Sequence, residues 1–245
     1  MNYGRIFAEA HASWNSFLRR KTAVFFTFLF PIILVSIFGF LVGTQTSGLF
    51  SKEPVYYVAS YISIVVLFTP LSRMSVTVAR GRNGSHFEKL STTPLTKIEW
   101  LLAHSIVNFI LVLISSFLVL SLAALLTDFS FTIPPLLILF IFLGSIIFCN
   151  IGAILGSITE SQDGAIAASN AIGLPLLFLS DTFIPLDLLP EWVIPFISFS
   201  PLTPFARGSR DLFMSSNFPF ENFQFLLLLV VVTFLISSKL LPWNR

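Results

Sequence analysis

The sequence predicts an all-α polytopic membrane protein. It has six transmembrane helices, an N-terminal amphipathic interface helix, and an external re-entrant hairpin between helices five and six. Three observations carry this prediction. Only 11% of the 245 residues are charged, against about 25% in a soluble domain. Hydrophobic residues make up 55%, with 29 Phe in the chain, and the mean hydropathy is +0.89. The apolar runs approach the roughly 20 residues a helix needs to cross a hydrocarbon core, and they do not alternate with polar residues as barrel strands would. A helix also satisfies its own backbone in lipid. The composition excludes a soluble globule, whose surface needs more charge, and a disordered chain. The single Cys149 excludes a disulfide scaffold. A net charge of +2 without a basic stripe argues against a nucleic-acid partner.

The elements follow in chain order. In residues 1–21, Phe7, Ala10, Trp14 and Phe17 recur at helical spacing, with Ile6 and Leu18 beside them. Arg5, Glu9, Asn2 and Ser16 fall on other faces. This predicts an amphipathic helix on the cytoplasmic membrane surface, with Trp14 at headgroup depth. Arg19, Arg20 and Lys21 mark the turn into the bilayer. Such a segment serves as a topology signal or as a lever for a cytosolic partner. The long charged lead and the lack of an A-x-A-like site predict an uncleaved signal anchor.

The first span covers residues 23–42, and Pro31 is expected to bend it. The second covers 54–72 and can run on to Ala79, with Arg73 snorkelling to the interface. The third covers 100–126, the fourth 136–157, the fifth 165–179 with Pro175 inside, and the sixth 223–241. Residues 181–211 hold Asp181, Asp187 and Glu191, and then a charge-free run too short to cross, broken by Pro195, Pro201 and Pro204. That pattern predicts an external re-entrant hairpin of two short helices parted at Pro190. With six spans and both termini in the cytoplasm, Lys52, Arg207 and Arg210 alone among the Lys and Arg residues fall outside. A seven-span count scores equally on charge. Six is preferred because three carboxylates and clustered prolines are costly in lipid. The expected location is the cytoplasmic membrane.

The loop at 80–99 carries the most information. Arg80, Gly81, Arg82 and Gly84 end the second span, with both glycines acting as breakers. Phe87, Glu88 and Leu90 form a short turn that Thr93-Pro94 terminates. Thr96 and Glu99 have the spacing of a capping box for the third span. On composition alone this is also an ordinary positive-inside loop.

Two patterns in these segments resemble a known family. Glu88-x-Leu90-x-x-Thr93-Pro94-Leu95 is similar to the E-x-L-x-x-T-P loop of ABC-2 type permeases, the membrane subunits of type V ABC exporters. Gly84-Ser85 precedes Glu88 by one residue more than the family's Gly-Thr pair does. Phe183, Pro185, Leu189, Pro190 and Trp192, then Pro201, Leu202, Thr203 and Arg210, resemble the family's signature between spans five and six. The resemblance implies two cytosolic ABC ATPase subunits and a second permease copy or paralogue. It implies that the Glu88 loop sits in a groove of the ATPase, with Glu88, Arg80 and Arg82 as polar contacts and Phe87 and Leu90 as an apolar plug. The interface helix would brace that loop, and the external hairpin would shield the exit.

The remaining residues fit without the family. No G-x-x-x-x-G-K-[ST] motif is present, so ATP and Mg belong on the partner ATPase and no cofactor is expected on this chain. Gly144, Gly152 and Gly156 share a row that lets another helix approach closely, most simply within one subunit. His104, Asn108 and Asn170 lie in spans and either line a pathway or hydrogen-bond between helices. No acidic residue falls mid-span, which argues against a proton relay. The scattered His11, His86 and His104 indicate no metal site, and no catalytic set assembles. The expected function is outward movement of an amphipathic or lipid-like solute. The alternatives are a non-transporting anchor or sensor for an ATPase complex, and a stand-alone channel or carrier.

Overall fold

The computed structural model describes residues 2–44, 54–84, 86–126, 133–182, 192, 194–214 and 218–243. Among them every regular element is a helix. In chain order these are α1 (Tyr3–Leu18), α2 (Lys21–Thr44), α3 (Pro54–Asn83), α4 (His86–Ser91), α5 (Lys97–Leu126), α6 (Leu137–Ile158), α7 (Gln162–Phe178), α8 (Ile194–Phe199), α9 (Leu202–Met214) and α10 (Phe220–Leu240).

Contacts between elements define two ends of the bundle. At one end Phe87 of α4 meets Trp100 of α5 and Trp243 beyond α10, while Arg82 reaches Ser157 at the end of α6. We call this the loop end. At the far end Tyr56 at the start of α3 meets Asp181 beyond α7, and Phe140 of α6 meets Phe223 of α10. Helices α3, α5, α6, α7 and α10 therefore alternate in direction between the two ends.

Four helices, α3, α5, α6 and α10, are long and apolar enough to cross a membrane. The pair α1 and α2, bent by 89° at residues 19–20, makes a fifth if counted as one span. With 17 residues, α7 is about 26 Å long, slightly under a hydrocarbon core of ~30 Å. Helix α3, with 30 residues, is about 45 Å long and overshoots it.

Helix α3 is the hub. It touches α2, α4, α5, α6, α7 and α9. Ile62, Val66, Leu67, Leu71, Met74 and Val78 are fully buried along it. Its closest partner is α6, because α6 presents glycine. A Cβ on Gly152 would stand 2.5 Å from the Leu71 carbonyl oxygen, and one on Gly156 would collide with the Ser75 carbonyl. The glycine row thus serves packing within the subunit. The outer surface is apolar. Leu228, Val231, Leu235 on α10 and Ile106, Ile110, Ile114 on α5 are exposed, while Asn108, Asn150 and Thr233 are buried. This is inside-out relative to a soluble bundle and matches a lipid solvent. Asn150 joins α6 to α10, accepting from Ser237 Oγ at 3.2 Å and donating to Thr233 Oγ1 at 3.4 Å.

Several expectations change. Gly81 does not break α3, which runs through it to Asn83, and only Gly84 stands in the turn. Arg73 does not snorkel outward; its guanidinium turns inward to α1 and α5. In the hairpin region the two described short helices part at Ser200-Pro201, where Thr203 Oγ1 donates to the Ile197 carbonyl at 2.6 Å. Pro185 and Pro190 lie outside the described residues. Helix α9 is tucked against α3, α6 and α10, with Leu202 through Ala206 buried, and Trp192 is 72% exposed.

Gly156→Val should therefore destabilise the bundle by about 1–3 kcal/mol or more, because backbone rather than a mobile side chain blocks the new methyl groups. Leu228→Ala on the lipid-facing side should stay within about 0.5 kcal/mol. Denaturant titrations of the two variants in detergent check the contrast.

Candidate functional site

The loop end is built around one aromatic nest. Gly81 lacks a Cβ where the Phe87 ring lies, since an added carbon would stand 2.8 Å from it. Phe87 is 3% exposed, with its ring centroid 5.2 Å from Trp100 and 5.9 Å from Trp243. Leu95 and the half-buried Leu90 belong to the same cluster. Phe87 is thus an inward anchor that holds α4 to the bundle, not a plug offered to a partner. The exposed rim is Glu88, Lys89, Thr92, Thr93 and Pro94. Arg80 and Arg82 are likewise engaged inside the chain. Arg80 donates twice to Gln162 Oε1, at 2.9 and 2.7 Å, and Arg82 donates to the Ser157 carbonyl at 2.8 Å. They tie the end of α3 to the α6–α7 connection.

The capping box forms as its spacing predicts. Thr96 N–H donates to Glu99 Oε2 at 2.9 Å, and Glu99 N–H to Thr96 Oγ1 at 3.3 Å. Glu99 also accepts from the Asn2 N–H at 2.8 Å, so the same carboxylate caps α5 and holds the start of α1. Arg5 donates to the Pro94 carbonyl at 2.7 Å. From there α1 runs beside the first turns of α5. Glu9 pairs with His104 Nε2 at 3.2 Å, and Ser13 Oγ lies 3.3 Å from His104 Nδ1. Phe17 packs against Val107 and Leu111.

The inward face of α1 is Ile6, Ser13 and Phe17, with Trp14 partly buried beside them. Phe7 is 77% exposed on the side of Tyr3, not on the buried face that the spacing suggested. The reason is polar: Asn2, Glu9 and Ser13 must meet Glu99 and His104, which rotates the helix. Arg19 caps α1 and Arg20 lines the cavity described below.

At the far end Asp181 gathers four donors. Its carboxylate accepts from Arg210 Nη1 at 3.1 Å, Arg207 Nε at 3.1 Å and the Tyr56 hydroxyl at 3.1 Å. Arg210 Nη2 donates to the Asp181 carbonyl, and the Arg210 guanidinium stacks 3.9 Å over the Tyr56 ring. Ser60 Oγ donates to the Thr182 carbonyl. This knot pins α9 and the end of α7 to the start of α3.

Between the two ends, a half-open cavity of about 1250 Å³ is bounded by α1, α2, α3 and α7, with His86 of α4 and His104 of α5 also in its wall. Asn170 and His104 line it. Asn108 does not: it is fully buried, accepts from Arg73 Nη1 at 3.1 Å and donates to the His104 carbonyl at 2.9 Å. Gly152 and Gly156 are also away from it, at the α3 contact.

Residues 5–214 match the model of the ABC-2 type transporter family. The chain belongs to that family. It is also 27% identical, over 211 residues, to the probable multidrug ABC transporter permease YbhS of Escherichia coli strain K12 and to that of E. coli O157:H7. The matched stretch covers 82% of this chain and 53% of each relative, so the chain spans about half the length of the curated relatives it matches. The ABC-2 match takes in α1 through α9 and ends at Met214, leaving α10 beyond it.

Sequence reasoning missed the residues that hold the parts of this chain together: Glu9, Ser13, Asp181, Arg207 and Trp243. Asp181 and Arg210 were legible as opposite charges in an apolar neighbourhood.

Removing one member of the far-end knot should cost about 3–5 kcal/mol, the penalty of leaving a buried charge unpaired. Asp181→Asn and Arg210→Gln should each show this loss by thermal unfolding in detergent. The double variant should lose less than the two single losses summed, because neither charge is then stranded. On the same assay Phe87→Ala should cost about 3–5 kcal/mol, while Glu88→Ala on the rim should stay within about 0.5 kcal/mol.

Proposed function

We propose that this ABC-2 permease is the membrane subunit of an ATP-driven exporter, moving an amphipathic or lipid-like solute outward. Six helices cross the membrane, α2, α3, α5, α6, α7 and α10, with the loop end and both termini in the cytoplasm. Two cytosolic ABC ATPase subunits dock against the loop end, and ATP with Mg is bound and hydrolysed there. A second permease copy or paralogue completes the pathway, because a single bundle of this size encloses little more than the cavity described. The residues at the ATPase contact are Glu88, Leu90, Thr93 and Pro94, with Phe87 positioning them from inside.

One observation carries this reading: an exposed polar rim sits on a rigid aromatic nest and is fastened to α1. Force applied at Glu88–Pro94 cannot be lost in a slack loop. Phe87 passes it to Trp100 of α5, and the Pro94 carbonyl passes it to Arg5 of α1. The charge asymmetry favours the same side, since Lys and Arg concentrate at the loop end. The multidrug wording in the relatives' name agrees with an amphipathic solute.

Glu88→Arg with Leu90→Ala, co-expressed with the candidate ABC ATPase, should retain membrane insertion and monodispersity. Stimulation of ATP turnover by the permease should fall about tenfold or more, as expected for loss of a contact worth about 1.4 kcal/mol or more. Turnover stimulated to the parental level would contradict the assignment of the rim.

A further inference from the structure

The half-open cavity is polar at one end and apolar at the other, and the Arg73 guanidinium in its wall meets no carboxylate. Along α3 its lining runs from Arg80 to Ile64, about 24 Å at the helical rise. Toward the loop end α3 contributes Arg73, Ser72 and Thr77 to the wall. Toward the far end it contributes Ile64, Val65 and Phe68, faced by Leu174 and Leu177 of α7.

Arg73 stands ten residues before the end of α3, about 15 Å into the bundle. Its guanidinium donates to Asn108 Oδ1 at 3.1 Å and to Ser13 Oγ at 2.9 Å, and it lies 5.6 Å from the Phe17 ring centroid. All three partners are uncharged. Among the described residues no carboxylate lies within ion-pair distance of it. Glu9, the acid of the cavity wall, is taken by His104. Arg20 and Arg80 add positive charge at the same end. A part-buried cation whose partners are all neutral is costly unless something compensates it.

We infer that the cavity binds a single-chain anionic amphipath, its carboxylate, sulfate or phosphate head at Arg73 and its tail along Ile64, Phe68, Leu174 and Leu177. The apolar stretch from Arg73 to Ile64 is about 14 Å, room for a chain of roughly ten carbons. The guanidinium supplies the charge-assisted hydrogen bonds that fix the head, and the apolar wall removes the tail from water. An uncharged or cationic head of equal length would leave Arg73 uncompensated. The inference deepens the exporter reading by naming the charge class of its solute, and it rests on that reading for the step that follows binding.

The test uses the full chain in phosphatidylcholine nanodiscs, with no ATPase present. The probes are an undecanoic acid bearing a terminal diazirine, its methyl ester, and the amine of equal length. After illumination, labelled peptides are counted by mass spectrometry. The acid should label the peptides containing Phe68 and Leu174 saturably, at a half-saturating concentration about tenfold or more below that of the ester and the amine. Arg73→Gln should abolish that preference and Arg73→Lys should retain part of it. Asn108→Leu, which removes a neutral partner and keeps the charge, should leave it in place.

Should Arg73→Gln fail to fold, Ser16→Glu places a carboxylate in the same wall with Arg73's own contacts intact. It should remove the preference for the acid. Competition by the single-chain lysophosphatidylglycerol in the nanodisc would identify a bilayer lipid as the natural source, and competition by free acid alone a dissolved amphipath. Either competition sustains the inference. Equal half-saturation by the three probes overturns it, as does a preference that survives Arg73→Gln or Ser16→Glu. Because no ATPase takes part, such a failure leaves the exporter reading standing, while normal coupling in the Glu88 variant would sink that reading and leave this one.

Discussion

The Glu99 carboxylate is the constraint on which the loop end depends. A helix start leaves backbone N–H groups without partners, and Glu99 answers the one at Thr96 from within the capping box. A carboxylate has capacity to spare, and its second oxygen takes the Asn2 N–H, the first amide of another helix. One side chain therefore fixes where α5 begins and where α1 lies. The other fastenings of α1, at Arg5, Glu9 and Ser13, follow in the same register. Moving Glu99 by one residue would swing it about 100° around α5 and lose both partners.

The polar groups inside the bundle follow one logic. Where lipid is the solvent, burial of apolar surface does not drive helices together, so close packing and buried polar contacts must do it. Glycine lets α6 reach the backbone of α3. Asn150 ties α6 to α10 through Ser237, and the Asp181 knot ties α9 to α3. Each contact joins helices distant in sequence, and together they leave the apolar side chains of α5 and α10 facing outward. Arg73 departs from this pattern, since its partners are neutral and its positive charge stays uncompensated beside a cavity.

Much of this was legible in the sequence because it is one-dimensional physics. Length and composition gave the helices of the bundle. The capping box at Thr96 and Glu99 and the short helix at Phe87 follow from local backbone chemistry. The glycine row on α6 was readable as a place of close approach, and the approach is made by α3. The failures are those of direction. The spacing of α1 puts Phe7 on its apolar face, and polar partners on α5 turn the helix so that Phe7 is left out. Phe87 reads as an exposed apolar tip until Gly81, Trp100 and Trp243 are brought around it from three separate segments. Arg73 reads as a snorkelling cation because nothing local reveals Asn108 and Ser13. Apart from Gly81, these partners stand from about a dozen to more than a hundred and fifty positions away, and no local pattern encodes them.

The proposed exporter reading expects α1 and the start of α5 to move as one body if an ATPase grips the loop end, opening the cavity against α7. Spin labels at Ala8 and Ile106, and separately at Ala8 and Asn170, report the two distances by pulsed electron resonance in the reconstituted complex. The account expects the first to hold within about 2 Å on ATP binding while the second shifts by more than that. A change in the α1–α5 distance with the α1–α7 distance unaltered would contradict it.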